Sequence, residues 1–351
     1  MNSREIVKRA ITFDNPPRLP MKFDIVGVND CYDVWTDDPS GWSWQMGAGR
    51  TYDEWHCGWD VTDVSNTGQV LEHPLADLSK LPDYAWPDTA GPERYASFPK
   101  QMEGAGDKFV MFCFGQGIWE RLHMLMGMDR AMLAFRRHKD EVNEILDRVL
   151  DHHVRVLKRC CELAPGRIDA AAMADDWGVQ DRAFISPRMF NEFFKPRYAR
   201  WFDEIKALGL HTWMHSCGKI NSIVPELIDA GLEVINNQQP NTVGLREFGA
   251  AFRGKVCFEA IVDTQNTLPS GTLEEVRQQA FDICDHYGTP EGGLIASDYN
   301  DAEAIGVTVD RRYVMFEAFA EKGGYPGYKE ILENARAGKT VAGHSWGRQT
   351  R

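Results

Sequence analysis

The sequence predicts an α/β fold, a single (β/α)8 barrel of the TIM type with an irregular N-terminal extension. Short apolar or β-branched runs at about 167–174, 210–216, 233–237, 255–262 and 292–297 alternate with segments of helical periodicity, which is typical of a parallel sheet. No repeat, low-complexity tract or linker divides the chain, and α/β barrels often use such a length for one unit. We therefore predict one domain over residues 1–351.

The chain before these runs is less regular. Residues 1–9 mix charged with apolar side chains and predict a short surface helix. The first 105 residues are rich in Pro, Gly and Trp, which favours an irregular cap. A strand is then expected at 109–114, followed by one or two long amphipathic helices between about 129 and 163.

Helix signals in the second half stand where a barrel needs them. Ser186-Pro187 predicts a helix start, and Pro196 predicts a bend in the same helix. Thr272 and Glu275 have the spacing of a capping box, so a further helix is expected over 273–287. Counting the apolar runs gives about seven strands rather than eight.

Charge and cysteine content exclude several classes of protein. With 52 acidic and 39 basic side chains the formal charge is −13, so the chain lacks the Lys/Arg footprint needed to bind nucleic acid or an anionic membrane. The eight cysteines are scattered rather than arranged as a disulfide framework. The sequence shows no signal peptide and no apolar run long enough to cross a bilayer. We expect a cytoplasmic protein with reduced thiols.

The most informative motif is His215-Ser216-Cys217-Gly218, at the end of a predicted strand. Alternate side chains of a strand share a face, so His215 and Cys217 point the same way at the C-terminal barrel mouth, where such barrels place their active sites. The pair can supply two ligands to one zinc ion. The alternative, on this motif alone, is a small buried thiol beside a core histidine.

Acidic and polar residues follow several other predicted strands. Asp175 and Asp176 can bind a cation, polarise a substrate or move a proton, or they can cap a helix. Glu259 needs a metal, a cation or a position at the rim, because burying it unpaired is costly. Asp298 and the amides of Gln238-Gln239 offer oxygen ligands or substrate contacts, or satisfy their own loops.

Four segments occur in an order that resembles the uroporphyrinogen decarboxylase superfamily. They are Asp175-Asp176-Trp177-Gly178, Ile185-Ser186-Pro187, Lys195-Pro196-Arg197-Tyr198 and His215-Ser216-Cys217-Gly218. The resemblance extends over most of the chain and implies a (β/α)8 barrel with its site at the C-terminal mouth. The superfamily contains porphyrinogen decarboxylases and zinc-dependent methyltransferases that work with corrinoid proteins.

Within the superfamily, the chain is more similar to the methyltransferase branch. The decarboxylases bind substrate carboxylates with an Arg-rich N-terminal motif, but the corresponding segment here, 18–27, has Asp24 and only Arg18. The resemblance assigns zinc to His215 and Cys217. Methylthiol-forming members have a third cysteine ligand near the last strand, where this chain has Asp298, so the resemblance leaves Asp298, Glu259 or a substrate atom as the third ligand.

We predict a zinc-dependent methyltransferase that moves a methyl group from a small methoxylated or N-methylated donor to a corrinoid (cobalamin) carried by a partner protein. In this hypothesis Asp176 or Asp298 protonates the leaving group. Side chains expected to bind the donor are Asp24, Trp119, Glu120, Asp175, Trp177, Gln180, Gln238, Gln239 and Tyr299. The alternatives are a uroporphyrinogen decarboxylase-like lyase, a thiol alkyltransferase and a non-catalytic corrinoid- or porphyrin-binding barrel. The sequence leaves open whether a homodimer forms.

Overall fold

The computed structural model describes residues 1–43, 49–61, 68–299 and 301–339. Parts of the predicted cap, 44–48 and 62–67, therefore lie outside the described residues. The strands are β1 (Met21–Phe23), β2 (Val28–Asn29), β3 (Cys31–Val34), β4 (Gly49–Tyr52), β5 (Gly58–Val61), β6 (Gln69–Glu72), β7 (Phe109–Gln116), β8 (Ala170–Ala174), β9 (His211–His215), β10 (Val234–Asn237), β11 (Cys257–Ala260) and β12 (Leu294–Ser297).

Helices follow most of the long strands. The α-helices are α1 (Ser3–Ile11), α2 (Phe98–Glu103), α3 (Ile118–Met126), α4 (Met128–Arg137), α5 (Lys139–Leu163), α6 (Pro187–Phe193), α7 (Lys195–Ala207), α8 (Val224–Ala230), α9 (Pro240–Val243), α10 (Leu245–Phe252), α11 (Thr267–Ser270), α12 (Leu273–Tyr287), α13 (Val309–Lys322) and α14 (Tyr328–Arg336). Short 3-10 helices span Asp24–Val26, Leu78–Asp83, Pro92–Tyr95 and Ala302–Ile305. Within the described ranges, no helix combines the length and the apolar character needed to cross a membrane.

The main sheet is a nearly closed barrel, as predicted. Its nine strands run in the order β2-β1-β12-β11-β10-β9-β8-β7-β3, and every neighbouring pair is parallel except the short β1/β2 hairpin. Without β2, the barrel has the eight parallel strands of a (β/α)8 fold. The strands not recognised in the sequence are β1 and β3, which are short and have no helix between them. The amide of Asp30, which donates to the carbonyl of Met21 at 2.8 Å, joins these two ends.

The helix signals of the sequence act as predicted. The Ser186 hydroxyl caps α6 by accepting from the amide of Met189. The predicted bend is a break between α6 and α7, because Pro196 has no amide hydrogen to donate to the preceding turn. Both reciprocal bonds of the capping box at Thr272 and Glu275 form at the start of α12.

Helix α1 forms where the sequence predicted a short surface helix, but its apolar face is buried. Its apolar side chains Val7, Ala10 and Ile11 are buried against the inward-facing residues of the barrel strands. Arg4 and Lys8 on the same helix each lie 2.7 Å from the buried carboxylate of Asp169. The alternation of charged and apolar residues therefore marks an amphipathic helix that closes the N-terminal end of the barrel.

The predicted N-terminal cap contains a small antiparallel sheet of β4, β5 and β6. It is joined to the barrel by a buried ion pair, in which an Arg121 guanidinium nitrogen of α3 lies 2.7 Å from a carboxylate oxygen of Asp53. The same guanidinium packs over the ring of Trp55 and donates to Gln116 at the end of β7. The cap is thus attached directly beside the barrel mouth.

Candidate metal centre

Two neighbouring strands bring the main candidate residues together. Strands β8 and β9 pair in parallel, with Ala174 opposite His215, and the Asp175 amide continues the pairing by donating to the His215 carbonyl at 3.0 Å. The loops that follow both strands therefore begin at the same level of the barrel mouth. Asp176 and Cys217 lie on these two loops and meet across them.

Asp176, His215 and Cys217 form a cluster suited to a metal ion. One ligand atom from each lies within 4.8 Å of the other two. The Cys217 Sγ is 3.3 Å from His215 Nε2, which is 3.6 Å from the Asp176 Oδ1. All three side chains are half-buried at the mouth. The sequence predicted the histidine and the cysteine as ligands, and the structure adds the carboxylate of Asp176.

Neighbouring groups fix the geometry of the cluster. His215 Nδ1 lies 2.5 Å from Asn236 Oδ1 on β10, so this nitrogen carries the hydrogen and Nε2 keeps its lone pair for a ligand. Asp176 Oδ1 also accepts from the amide of Cys217 at 2.7 Å. Burial and the nearby charge of Asp176 raise the pKa of the Cys217 thiol well above its usual value. The neutral thiol is therefore favoured until a cation is bound.

The loops that carry Asp176 and Cys217 touch through two glycines. Gly218 has φ +78°, and a Cβ built on it would lie 2.2 Å from the backbone carbonyl carbon of Gly178. A Cβ on Gly178 would in turn lie 2.5 Å from the amide nitrogen of Lys219. Because the obstructing atoms belong to the backbone, this contact admits only glycine on both sides.

Asp175 is fully buried and organises the start of α3. Its carboxylate accepts from the amides of Trp119 at 3.1 Å and Glu120 at 2.7 Å, and from the Tyr198 hydroxyl. Burial raises its pKa to about 7, although the three hydrogen bonds oppose this shift. The structure thus places this predicted donor-binding residue behind the mouth, where it holds Glu120 in position.

The two tryptophans predicted to bind the donor are core residues of the site loops. Trp119 and Trp177 are fully buried and stack with their ring centroids 5.1 Å apart at an interplanar angle of 18°. Each indole nitrogen donates inside the protein, to the carbonyl of Asp176 and to the hydroxyl of Tyr198. This stack supports the loop of Asp176 from behind.

Glu120 and Tyr299 interact electrostatically with the cluster. Burial and the negative charges of Asp176 and Asp175 raise the pKa of Glu120 well above its usual value. The pKa of Tyr299 is raised by burial and by the charges of Asp301, Cys217 and Asp176. Both side chains thus belong to the electrostatic surroundings of the metal candidates.

The two acids proposed as a third ligand have other partners. One oxygen of Glu259 lies 3.0 Å from Lys22 Nζ, and the other accepts from Trp213 Nε1 at 2.8 Å. Arg312 binds both oxygens of the buried Asp298. Burial raises the pKa of Asp298, and the guanidinium opposes that shift. The structure does not bring either acid into the cluster.

The remaining predicted residues have mixed placements. The Asp24 carboxylate accepts from Asn29 at 3.0 Å, and burial raises its pKa. Gln239 supports the cluster, because its side-chain oxygen accepts from the amide of Gly218 at 2.8 Å. The backbone of Gln238 accepts from the amide and the hydroxyl of Thr264, which joins two loops of the mouth. Gln180 is exposed to solvent.

Sequence reasoning missed several residues that shape the site, namely Lys22, Asn236, Tyr198 and Arg312. Lys22 had a detectable signal, since it is a lysine between two apolar residues at the start of the barrel. Asn236 had one too, because an amide inside an apolar strand needs a partner. The pairing of Arg312 with Asp298 joins α13 to the end of β12 and leaves no local pattern.

Comparison with known proteins places the chain in a family. The family model for uroporphyrinogen decarboxylase (URO-D) matches residues 54–297, more than half of the chain. No curated protein matches the sequence.

Among solved structures, a methyltransferase from Methanosarcina mazei superposes with a TM-score of 0.69 at 13% identity, covering 92% of this chain and 99% of the other. Two other structures superpose with lower TM-scores. They are a D-psicose 3-epimerase in the presence of D-fructose (TM-score 0.38, 12% identity, 91% of each chain) and a dihydropteroate synthase from Coxiella burnetii in complex with pteroic acid (TM-score 0.32, 10% identity, 66% of this chain and 80% of the other). The methyltransferase confirms the barrel fold over nearly the whole chain. The family model, which matches more than half of the chain, shows that this chain belongs to the uroporphyrinogen decarboxylase (URO-D) family.

Proposed function

We propose that this protein is a zinc-dependent methyltransferase that moves a methyl group from a small methoxylated or N-methylated donor to the cobalt of a corrinoid carried by a partner protein. The observation that carries the proposal is the cluster of Asp176, His215 and Cys217 at the barrel mouth. Nitrogen, sulfur and carboxylate oxygen are the ligands that zinc prefers, and three protein ligands leave a fourth position for a substrate.

The residues present fit a zinc ion. Asn236 holds the His215 ring with Nε2 toward the cluster, which is the usual role of a group behind a zinc ligand. Asp176 would be the third protein ligand. Water, rather than Asp176, then supplies the proton to the leaving group. The negative charges of Asp176 and a Cys217 thiolate would balance the charge of a divalent cation.

The chemistry of the transfer follows from this ligand set. When bound, zinc supplies a Lewis acid that polarises the C–O or C–N bond of the donor. The transfer breaks that bond with its electron pair left on the heteroatom, which takes a proton from water. The new carbon–cobalt bond uses the electron pair of Co(I). The side chains around Asp176, His215 and Cys217 at the barrel mouth bind and orient the donor.

The charges around the mouth favour a methyl donor over a polycarboxylate. Lys22 and Arg312 each pair with a carboxylate, and Arg18 in the N-terminal segment pairs with Asp30. Cations that already face carboxylates are poorly placed to neutralise the side chains of a carboxylated tetrapyrrole. A neutral or cationic donor requires no such neutralisation.

The direct test mixes zinc-loaded protein with cob(I)alamin and a panel of methoxyarenes, methylamines and methyl thioethers. We expect the spectrum of methylcobalamin to appear with a methoxyarene or a methylamine and to be lost in Cys217→Ser. The half-buried Cys161 at the end of α5, outside the mouth, provides the matched control Cys161→Ser.

Other outcomes point to the alternatives. Methylcobalamin formed only from thioethers would indicate a thiol alkyltransferase, and coproporphyrinogen formed from uroporphyrinogen would indicate a decarboxylase. Tight corrinoid binding without turnover of any donor would indicate a non-catalytic barrel. Each of these results contradicts the proposed function.

A further inference from the structure

The floor of the barrel mouth contains a group of charged side chains that the metal candidates do not use. Lys22 of β1, Asp33 of β3 and Glu259 of β11 all belong to barrel strands. The side chains of Lys22 and Glu259 are 15% and 9% exposed, and Lys22 Nζ is 3.0 Å from the Glu259 Oε1. We name these three residues the floor cluster.

Asp33 is the unusual member of the floor cluster. It lies two residues after Cys31, whose side chain belongs to the barrel interior, so it points into the barrel as well. Its Oδ1 is buried and has no hydrogen-bond partner among the described residues. A buried acceptor without a partner is costly, and such atoms in native proteins call for an explanation.

The other members of the floor cluster cannot supply the missing partner. The Lys22 ammonium forms an ion pair with Glu259. It also lies 3.9 Å from Met111 Sδ and 5.5 Å from the centre of the Trp213 ring. The second oxygen of Glu259 is occupied by the indole N–H of Trp213. Within the floor cluster, a single lysine thus lies near two carboxylates, and the atom left without a hydrogen-bond partner is an acceptor.

The floor cluster lies within reach of a small molecule held at the metal centre. Strand pairing places Glu259 opposite Asn236, and Asn236 opposite His215. Two strand spacings of about 4.8 Å separate the backbones of Glu259 and His215 by about 10 Å. A donor with a single ring, or a short amine, is long enough to extend from one to the other.

We propose that the floor cluster is a donor-anchoring subsite in which Asp33 accepts a hydrogen bond from a hydroxyl or ammonium group at the end of the donor opposite its methyl group. This inference rests on the proposed function for the identity of the ligand as a methyl donor. A carboxylate at the same position is disfavoured, because it would meet Asp33 and Glu259 while Lys22 is already paired.

The test measures equilibrium binding by calorimetry with one methoxyarene scaffold carrying four para substituents. The ligands are 4-methoxyphenol, 4-methoxybenzylamine, anisole and 4-methoxybenzoate. We expect zinc-loaded wild-type protein to bind the phenol or the amine about tenfold more tightly than anisole, and the benzoate most weakly. Tenfold corresponds to one net hydrogen bond to a buried acceptor.

Two substitutions of Asp33 identify its contribution. Asp33→Leu should bind 4-methoxyphenol and 4-methoxybenzylamine no more tightly than it binds anisole. Asp33→Asn keeps an acceptor without the charge, so it should retain the preference for the phenol and lose that for the amine. The exposed Asp203 on α7 gives the matched control Asp203→Asn, which should leave all four affinities unchanged. An unchanged zinc content in each variant shows that the mouth is folded.

The inference is overturned if anisole binds wild-type protein as tightly as the phenol and the amine, if Asp33→Leu keeps the preference, or if none of the four binds. The proposed function is judged by methylcobalamin formation in parallel. Equal turnover of anisole and 4-methoxyphenol would contradict the proposed subsite and support the proposed methyltransferase. An Asp33-dependent preference in binding without any methyl transfer would support the subsite and contradict the methyltransferase.

Discussion

Replacing Gly218 by alanine tests whether the contact between the two site loops holds the metal ligands in place. Its φ of +78° costs a residue with a side chain about 1–2 kcal/mol. The new Cβ would also lie 2.2 Å from the Gly178 backbone, which no side-chain rotation can relieve. Overpacking of this kind adds about 1–3 kcal/mol. We therefore expect the free energy of unfolding to fall by about 2–5 kcal/mol.

The chain offers a matched control for this variant. Gly209, which precedes the same strand β9, has φ +76° and nothing within 4 Å of a built Cβ. Gly209→Ala should therefore lose only about 1–2 kcal/mol, the cost of its backbone conformation. Urea unfolding of both variants gives the two values.

Zinc affinity separates a local effect from a general one. Because Gly218 follows Cys217 directly, a shift of its loop moves the thiol away from His215. We expect Gly218→Ala to weaken zinc binding about 10–100-fold, the effect typical of groups that position ligands. Gly209→Ala should leave zinc affinity unchanged. Equal zinc affinity and equal stability in the two variants would refute the argument.

Three further predictions concern residues around the site. His153 is stacked on Trp201, and burial lowers its pKa from 6.5 to about 3. Its neutral form therefore stabilises the fold above pH 6.5, and this contribution to stability is lost as the pH falls toward 3. Between pH 7.5 and 4.5 the free energy of unfolding of His153→Phe, measured by urea titration, should therefore rise by about 2–3 kcal/mol relative to that of wild type. An equal decrease in the free energy of unfolding of both proteins would contradict this. Asn236→Ala should weaken zinc binding about tenfold in chelator competition without a comparable loss of stability, and an unchanged affinity would exclude its role in orienting the histidine. Arg121→Met should lower the free energy of unfolding, measured by chemical denaturation, by about 3–5 kcal/mol, because it leaves the buried Asp53 carboxylate without its cation. The double variant with Asp53→Leu should recover part of that loss. Additive losses in the double variant would show that the pair is not coupled.

The barrel could be predicted because its strands and helix caps are local patterns. The alternation in β9 put His215 and Cys217 on one face, and the apolar runs located six of the eight parallel strands. The strands β1 and β3 span three and four residues, too short for an apolar run to stand out. Helix α1 was predicted, but its contact with the barrel interior was not, because the pattern shows an apolar face without showing what covers it.

The candidate site was predicted only in part, because its decisive contacts cross between strands. Asp176 was expected to act as an acid, and its place beside His215 depends on the pairing of β8 with β9. Trp119 and Trp177 were expected to line a pocket, but composition cannot distinguish a pocket wall from a buried stack. The ion pair of Lys22 with Glu259 joins β1 to β11, which are separated by β12 in the sheet and lie far apart in the sequence.

The central claim is that zinc held by Asp176, His215 and Cys217 enables methyl transfer. The most direct measurement is the initial rate of methylcobalamin formation from cob(I)alamin and the best donor, as apoprotein is titrated with zinc from zero to two equivalents. We predict that the rate rises linearly and stops at one equivalent per chain, with no rise in Cys217→Ser. A rate that is independent of zinc, or an equal rise in Cys217→Ser, would contradict the claim.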